Sequence, residues 1–514
     1  MTGVLLHLQS KEGKEAMEYL VTAKEMKEYD RNTIEKIGIP AAVLMERAAL
    51  SVWDLIRERM SDIAARAVTI VAGMGNNGAD GLALARLLSC KGYPVVVYCA
   101  GDPARASSEW RRQYSILQHY SVRCLDVGTD FKGISGIASG ILVDALFGVG
   151  LSRDVEGLQR SVVEAMNNCR AEVRIALDIP SGIDSDSGVV RGIAVEGIDY
   201  TVTFGFCKRG LRLYPGCRHC GVVILADIGI DQTAFLGQIP QMVCFDTSDR
   251  ELLPQRDPYG NKGTFGKVLL LAGSKNMAGA ALLAAKSAYR TGAGMVRLIT
   301  ASENRVIVQE SIPEVLLAEQ TDLEESLQWC DVVAIGPGLG KSDTAKACLK
   351  AVLQNSDKPL LIDADGLNLL AEEPDLPELL SQRKRPAILT PHVGELKRLL
   401  HESEKTESFK ILLHEKAKML AHKLHTVVVA KDAVTCICAE DHPICVNASA
   451  NSGMATAGSG DVLAGVIAGL LAQGLSPYEA ACKGVRLHAL AGGRAVKAHG
   501  EHGCMAGDIA DHLI

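Results

Sequence analysis

Val68-Thr69-Ile70-Val71-Ala72 runs directly into Gly73-Met74-Gly75-Asn76-Asn77-Gly78-Ala79-Asp80-Gly81, and a helical pattern over 80–90 follows. A β-branched run, a glycine loop and a helix form the first half of a βαβ unit, which implies a parallel sheet covered by helices. The glycines let the backbone turn sharply and come close to a ligand. The start of the helix offers free N–H groups that suit an anion.

The same alternation recurs along the chain. Strand patterns are read at 68–72, 94–99, 140–143, 173–177, 200–204 and 222–225, with helical patterns at 80–90 and 104–120 between them. The pattern weakens between 227 and 267, where Gly, Pro, Asp and Gln accumulate. A second series then supplies strands at 268–272, 295–300, 332–335, 359–362, 387–389, 426–430 and 434–438. Its helices are read at 279–291, 343–354, 409–423, 461–473 and 477–498. The expectation is therefore an α/β chain of two domains, 1–235 and 236–514, with 1–18 as a polar extension. The first domain reads as a Rossmann-like three-layer sandwich.

A formal charge of −7 argues against nucleic acid as the main partner. The longest apolar run, 462–472, is far shorter than the ~20 residues a membrane helix needs. A cytoplasmic protein with no membrane partner is expected, and a homo-oligomer. Fifteen cysteines scattered through so long a chain read as reduced thiols. The pair Cys217 and Cys220 has no second CxxC nearby to complete a zinc site, so it reads as a turn before a strand.

Three strand ends in the first domain carry polar groups. The first is the loop quoted above. The second is Val143-Asp144-Ala145-Leu146-Phe147-Gly148-Val149-Gly150, and the third is Ala176-Leu177-Asp178-Ile179-Pro180-Ser181-Gly182. In open parallel sheets the carboxyl ends of the strands line the ligand crevice, so these three are expected to meet in one pocket. The first loop also fits GxGxxG, with Asp102 near the end of the next strand. That spacing suits a dinucleotide, and a plain tight strand-to-helix turn is the lesser alternative.

In the second domain, Asn451-Ser452-Gly453-Met454-Ala455-Thr456-Ala457-Gly458-Ser459-Gly460-Asp461 precedes an apolar helix. Small residues there let backbone N–H groups gather round an anion. A carboxylate in the first turn can cap the helix. It can also polarise a hydroxyl lying against a bound phosphate. The chain holds no GxxxxGK[ST], so it is not a P-loop protein.

GMGNNGADG, VDALFGVGLSRDVEG and LDIPSGIDSDSG together resemble the NAD(P)H-hydrate epimerase family over about residues 19–235. The resemblance implies that the hydroxyl at C6 of hydrated NAD(P)H is inverted beside a bound potassium ion. It makes Asn77, Asp144 and Ser181 the potassium ligands and Asp178 the acid–base group. It gives Asn76, Asn77, Gly78, Ala79 and Asp80, with Gly148, Val149, Gly150, Leu151, Ser152, Arg153 and Asp154, to the hydrated dinucleotide. Ala79 stands where the family more often has glycine.

KGTFGKVLLLAGS, GPGLG, DADGLNLL, TPHVGELKRL and GSGDVLAG, in that order, resemble the ADP/ATP-dependent NAD(P)H-hydrate dehydratases of the ribokinase-like superfamily over roughly 240–514. The resemblance implies a ribokinase-like α/β domain. In it, ADP or ATP with magnesium phosphorylates the hydrate, and phosphate then leaves. It brings Ala280, Gly338, Gly340, His392, Val393, Gly394, Glu395, Leu396, Lys397 and Arg398 to the hydrate. It brings Lys431, Asp432, Ala433, Val434 and Thr435 to the nucleotide, together with residues 451–460, and sets Asp461 against the reacting hydroxyl. Asp432 stands where glycine is common. The fusion favours ADP by family association. The alternatives are a ribokinase-like small-molecule kinase fused to a dinucleotide-binding domain, and a nucleotide sensor without turnover.

Overall fold

A computed structural model describes residues 17–127, 140–245, 252–403 and 405–513; most of the expected 1–18 extension lies outside them. The chain divides into two compact units, 18–242 and 243–514.

The strands of the first unit are β1 (Met17–Val21), β2 (Val68–Gly73), β3 (Val95–Ala100), β4 (Arg123–Val127), β5 (Ile141–Ala145), β6 (Val173–Leu177), β7 (Tyr200–Phe204), β8 (Cys207–Lys208) and β9 (Val222–Ala226). Seven of them form one sheet in the order β4-β3-β2-β5-β6-β7-β9, parallel throughout. The short β8 pairs with β1, setting Val21 beside Lys208. Successive strand residues point to opposite faces, so each buried strand feeds two cores. Ile70, Ala72, Val97 and Val143 join the core under the helices Ala41–Arg59 and Asn76–Cys90. Val71, Leu142 and Ala176 join a second core under Gly157–Asn168. The result is a three-layer sandwich.

β10 (Met242–Phe245) lies at the division between the units. The second unit contains β11 (Lys267–Leu271), β12 (Met295–Ile299), β13 (Leu316–Ala318), β14 (Val332–Ile335), β15 (Leu360–Ile362), β16 (Ile388–Leu389), β17 (Val427–Ala430), β18 (Thr435–Cys438) and β19 (Ile444–Asn447). They run β13-β12-β11-β14-β15-β16-β17-β18-β19. The pairs are parallel up to β17, and β17–β18 and β18–β19 are antiparallel. The helix Ser459–Ala472 is buried from Val462 onward. Gly465 and Gly469, one turn apart, let it lie directly on Ala278–Thr291. A Cβ on Gly465 would stand 2.2 Å from the Ala284 carbonyl oxygen.

Two helices differ from the sequence expectation. The single helix over 104–120 is a 3-10 turn, Pro103–Arg105, followed by Ser108–Leu117. Ser107 restarts it by accepting the Trp110 N–H at 3.1 Å. The helix over 409–423 is two, Thr406–Ile411 and Leu413–Leu424, broken at Leu412. Strands β1, β4, β8, β10, β13 and β19 escaped the hydrophobic reading. β4 and β13 are edge strands with exposed positions, which blurs the apolar run.

Candidate functional site

In the first unit the carboxyl ends of β2, β3, β5, β6 and β7 open onto one cavity of about 770 Å³. Gly73 to Asn77, Asp80, Phe147 to Leu151, Arg153 and Asp178 line it, together with Asp102. The three strand ends do meet. Asp102 also caps the Pro103–Arg105 turn through the Ala104 N–H, at 2.9 Å.

Asn77 lies in the first turn of Asn76–Cys90. Its Nδ2 donates to the Phe147 carbonyl at 2.9 Å, and its Oδ1 is buried with no partner among the described residues. Asp144, at the end of β5, accepts the Ser181 N–H at 2.7 Å and the Ser181 hydroxyl at 2.6 Å. Ser181 Oγ also accepts the Phe147 N–H at 2.8 Å, so Phe147 joins Asn77 to the Ser181–Asp144 pair. Burial pushes the Asp144 carboxyl up to about 6, against the Ser181 hydrogen bonds that pull it down. An orphaned amide oxygen beside a carboxylate and a hydroxyl is a donor set for a hard cation, and potassium fits it. Ala79 is fully buried within the helix, where its methyl group is tolerated. Gly78 is not replaceable in this way: a Cβ would stand 1.8 Å from the Gly73 carbonyl oxygen.

Asp178 follows β6 with φ +66°, a left-handed conformation that non-glycine residues rarely take and that costs about 1–3 kcal/mol. Its Oδ1 accepts from the Lys208 ammonium, from the Thr203 hydroxyl at 3.3 Å and from the Phe204 N–H at 3.4 Å. Asp30 and Asp80 face the same group. Burial raises both carboxyls, and the neighbouring Asp178 raises them further, while Lys208 opposes. The sequence reading missed Lys208, Thr203 and Asp30. Lys208 stood in plain view four residues beyond β7, a further strand end carrying a charge. Asp30 sits on the helix Ala23–Asn32, which no sheet pattern points to.

In the second unit, Asp461 sits in the first turn of Ser459–Ala472 behind Gly458, whose φ is +93°. Burial, with help from Asp363, pushes its carboxyl up to about 6 against the pull of Lys431. Lys431 Nζ lies 2.8 Å from Asp363 Oδ1, which also accepts the Thr390 hydroxyl at 2.7 Å. A Cβ on Gly460 would be 3.3 Å from Lys431 Nζ and 3.9 Å from Asp363 Oδ2. The lysine therefore stands at the mouth of the helix N-terminus. Burial pulls the Lys431 ammonium down, but Asp363, Glu395 and Asp461 together hold it above its ordinary value. Asp363 was not singled out in the sequence, because an acid before a helix looks like a cap.

The other expected residues divide. Gly338 lies against Ala280, and the Gly340 N–H donates to Asp365 at 2.8 Å. His392 caps the helix Val393–Leu400: its Nδ1 accepts the Gly394 N–H at 2.9 Å and the Glu395 N–H at 3.3 Å. Glu395 returns the bond to the His392 N–H, and burial lifts its carboxyl to about 7. Val393, Gly394, Lys397 and Arg398 line a surface cleft of about 550 Å³. Asp432 faces Lys410 at 3.5 Å. Gly453 packs on Val496 and Glu501, and Met454 on Gly492, so this part of the 451–460 segment makes structural contacts. Cys217 and Cys220 are free thiols, and the Cys220 thiol donates to the Gly216 carbonyl at 3.0 Å.

Residues 41–210 match the family described as YjeF-related protein N-terminus, and 268–514 match NAD(P)H-hydrate dehydratase. The bifunctional NAD(P)H-hydrate repair enzyme of Moorella thermoacetica is 36% identical over 96% of this chain and 96% of its own length. The chain belongs to this family. Further bifunctional NAD(P)H-hydrate repair enzymes are those of Thermofilum pendens, 38% identical over 95% of this chain and 94% of its own, and Escherichia coli K12, 33% identical over 96% and 92%. Among solved structures, an ADP/ATP-dependent NAD(P)H-hydrate dehydratase from Bacillus subtilis, co-crystallised with ATP and Mg2+, is 30% identical. It has a TM-score of 0.46 over 52% of this chain and 95% of that one. Among the described residues of this repair enzyme no helix is long and apolar enough to cross a membrane.

Proposed function

We propose that residues 18–242 of this repair enzyme interconvert the R and S hydrates of NAD(P)H, and that residues 243–514 dehydrate the S hydrate with ADP as phosphoryl donor. One observation carries the reading: each unit sets a carboxylate near a lysine, Asp178 paired with Lys208 at the cavity of about 770 Å³, and Asp461 in the field of Lys431, which pairs with Asp363 at the start of Ser459–Ala472.

Inverting a carbon that carries a hydroxyl requires it to become trigonal. A base takes the hydroxyl proton, the bond from C6 to the ring nitrogen opens to a carbonyl, and an acid protonates the nitrogen. Closure on the opposite face reverses each transfer. In this reading Asp178 serves as the base. Asn77, Asp144 and Ser181 would hold potassium, whose charge favours the phosphates of the dinucleotide nearby. The glycine loop and the start of Asn76–Cys90 receive those phosphates.

In the second unit the helix N-terminus behind Gly458 cradles the nucleotide's terminal phosphate, which arrives with magnesium. Lys431 neutralises it, and Asp461 takes the hydroxyl proton as phosphate is transferred to the hydrate oxygen and AMP leaves. Loss of that phosphate from C6, with a proton from C5, restores the double bond. The test is one assay with purified chain, a mixed R/S NADH hydrate, ADP, magnesium and potassium. Complete recovery of reduced-nicotinamide absorbance is expected with ADP, and interconversion alone without it. A phosphorylated product that accumulates without recovery would instead favour a small-molecule kinase.

A further inference from the structure

Lys208 is buried, its side chain 1% exposed, and its ammonium has three acceptors: Asp178 Oδ1, Thr203 Oγ at 3.1 Å and the Phe204 carbonyl at 2.9 Å. An ammonium has three N–H donors, so the group is saturated within the protein and has none left for a substrate. The two oxygens of Asp178 are not equivalent. Oδ1 is held by Lys208, Thr203 and the Phe204 N–H, whereas Oδ2 has no hydrogen-bond donor among the described residues. Oδ2 is the oxygen turned to the loop after β5, 3.5 Å from where a Cβ on Gly148 would stand. The left-handed backbone of Asp178 is kept by its own N–H, which donates to the Val202 carbonyl at 2.7 Å.

We infer that Lys208 is a positioning residue for epimerisation: by fixing Oδ1 it leaves Oδ2 as the one oxygen of Asp178 that exchanges a proton with the hydrate. The inference rests on the epimerase reading above. Lys208 on β8 pairs with Asp178, and Asp80 on the helix Asn76–Cys90 and Asp30 on Ala23–Asn32 lie close enough to feel its charge; Lys27, Arg105 and Arg153 line the same cavity. With Lys208 removed, Asp178 would lose the one cation hydrogen-bonded to it and, with that, the contact that fixes its Oδ1.

The test uses the full chain and measures R/S interconversion of NADH hydrate, with ADP-dependent dehydration of the same preparation as the internal control. Lys208→Met is expected to lower the epimerisation kcat by about 100-fold, with KM changed less than about threefold and dehydration unchanged. In an Asp178→Asn background the same substitution is expected to cost less than about threefold more, because the lysine acts only through Asp178. Should Lys208→Met fail to fold, Thr203→Val, which removes one donor to Oδ1, is expected to lower kcat severalfold at constant KM. An unchanged kcat, a rise confined to KM, or full additivity with Asp178→Asn would each overturn the inference. A wild-type chain that dehydrates but never interconverts the hydrates would instead remove the epimerase reading beneath it.

Discussion

The Lys431 ammonium stands 2.8 Å from Asp363 Oδ1, and the Asp363 side chain is 1% exposed. The pair holds a positive charge at the start of Ser459–Ala472, where an anion would bind. Removing the acid strands the cation. Asp363→Ala is expected to destabilise the second unit by about 3 kcal/mol or more and to weaken ADP binding. Denaturant unfolding and nucleotide titration check it; an unchanged midpoint with unchanged affinity would refute it.

Asp461 must be ionised to accept a proton, and its carboxyl is pushed up to about 6 by burial and by Asp363. Dehydration should therefore rise with pH and level off above about 6, falling close to tenfold per unit below it. Asp461→Asn should lower turnover by about 100-fold or more while leaving ADP bound, and the remaining rate should lose the acid limb. A wild-type profile flat from pH 5 to 7, as on the order of the interval around that value, would exclude Asp461 as the base.

Asn77 Oδ1 is a buried oxygen with no hydrogen-bond donor among the described residues. Asn77→Leu is expected to remove the potassium dependence of epimerisation, with a loss of tenfold or more on the order expected for one missing ligand of a metal-dependent site. The measurement is initial rate against potassium at constant ionic strength. Dependence as steep as in the wild type would exclude Asn77 from the site.

Gly78 touches backbone on the side where a methyl group would grow, 1.8 Å from the Gly73 carbonyl oxygen. Gly78→Ala is expected to cost the first unit about 3 kcal/mol or more, because backbone rather than a flexible side chain must move. Epimerisation should be lost with dehydration retained. Two separate assays on one preparation, with thermal unfolding, decide it.

Much of this protein was readable from the order of its residues. Local rules sufficed for the βαβ alternation, the glycine loop after β2 and the helix behind Gly458, since each depends on neighbours a few residues apart. The motifs also placed Asp178 and Asp461 at strand and helix ends. Tertiary structure alone decided their partners. Lys208 reaches Asp178 across 30 residues, and Lys431 reaches Asp363 across 68. Such pairs form because the parallel sheet brings distant strand ends side by side and burial then demands a counter-charge, a requirement that leaves no periodic mark in the sequence. That His392 caps Val393–Leu400 was hidden for the same reason: which N–H groups reach its Nδ1 depends on how the fold turns them.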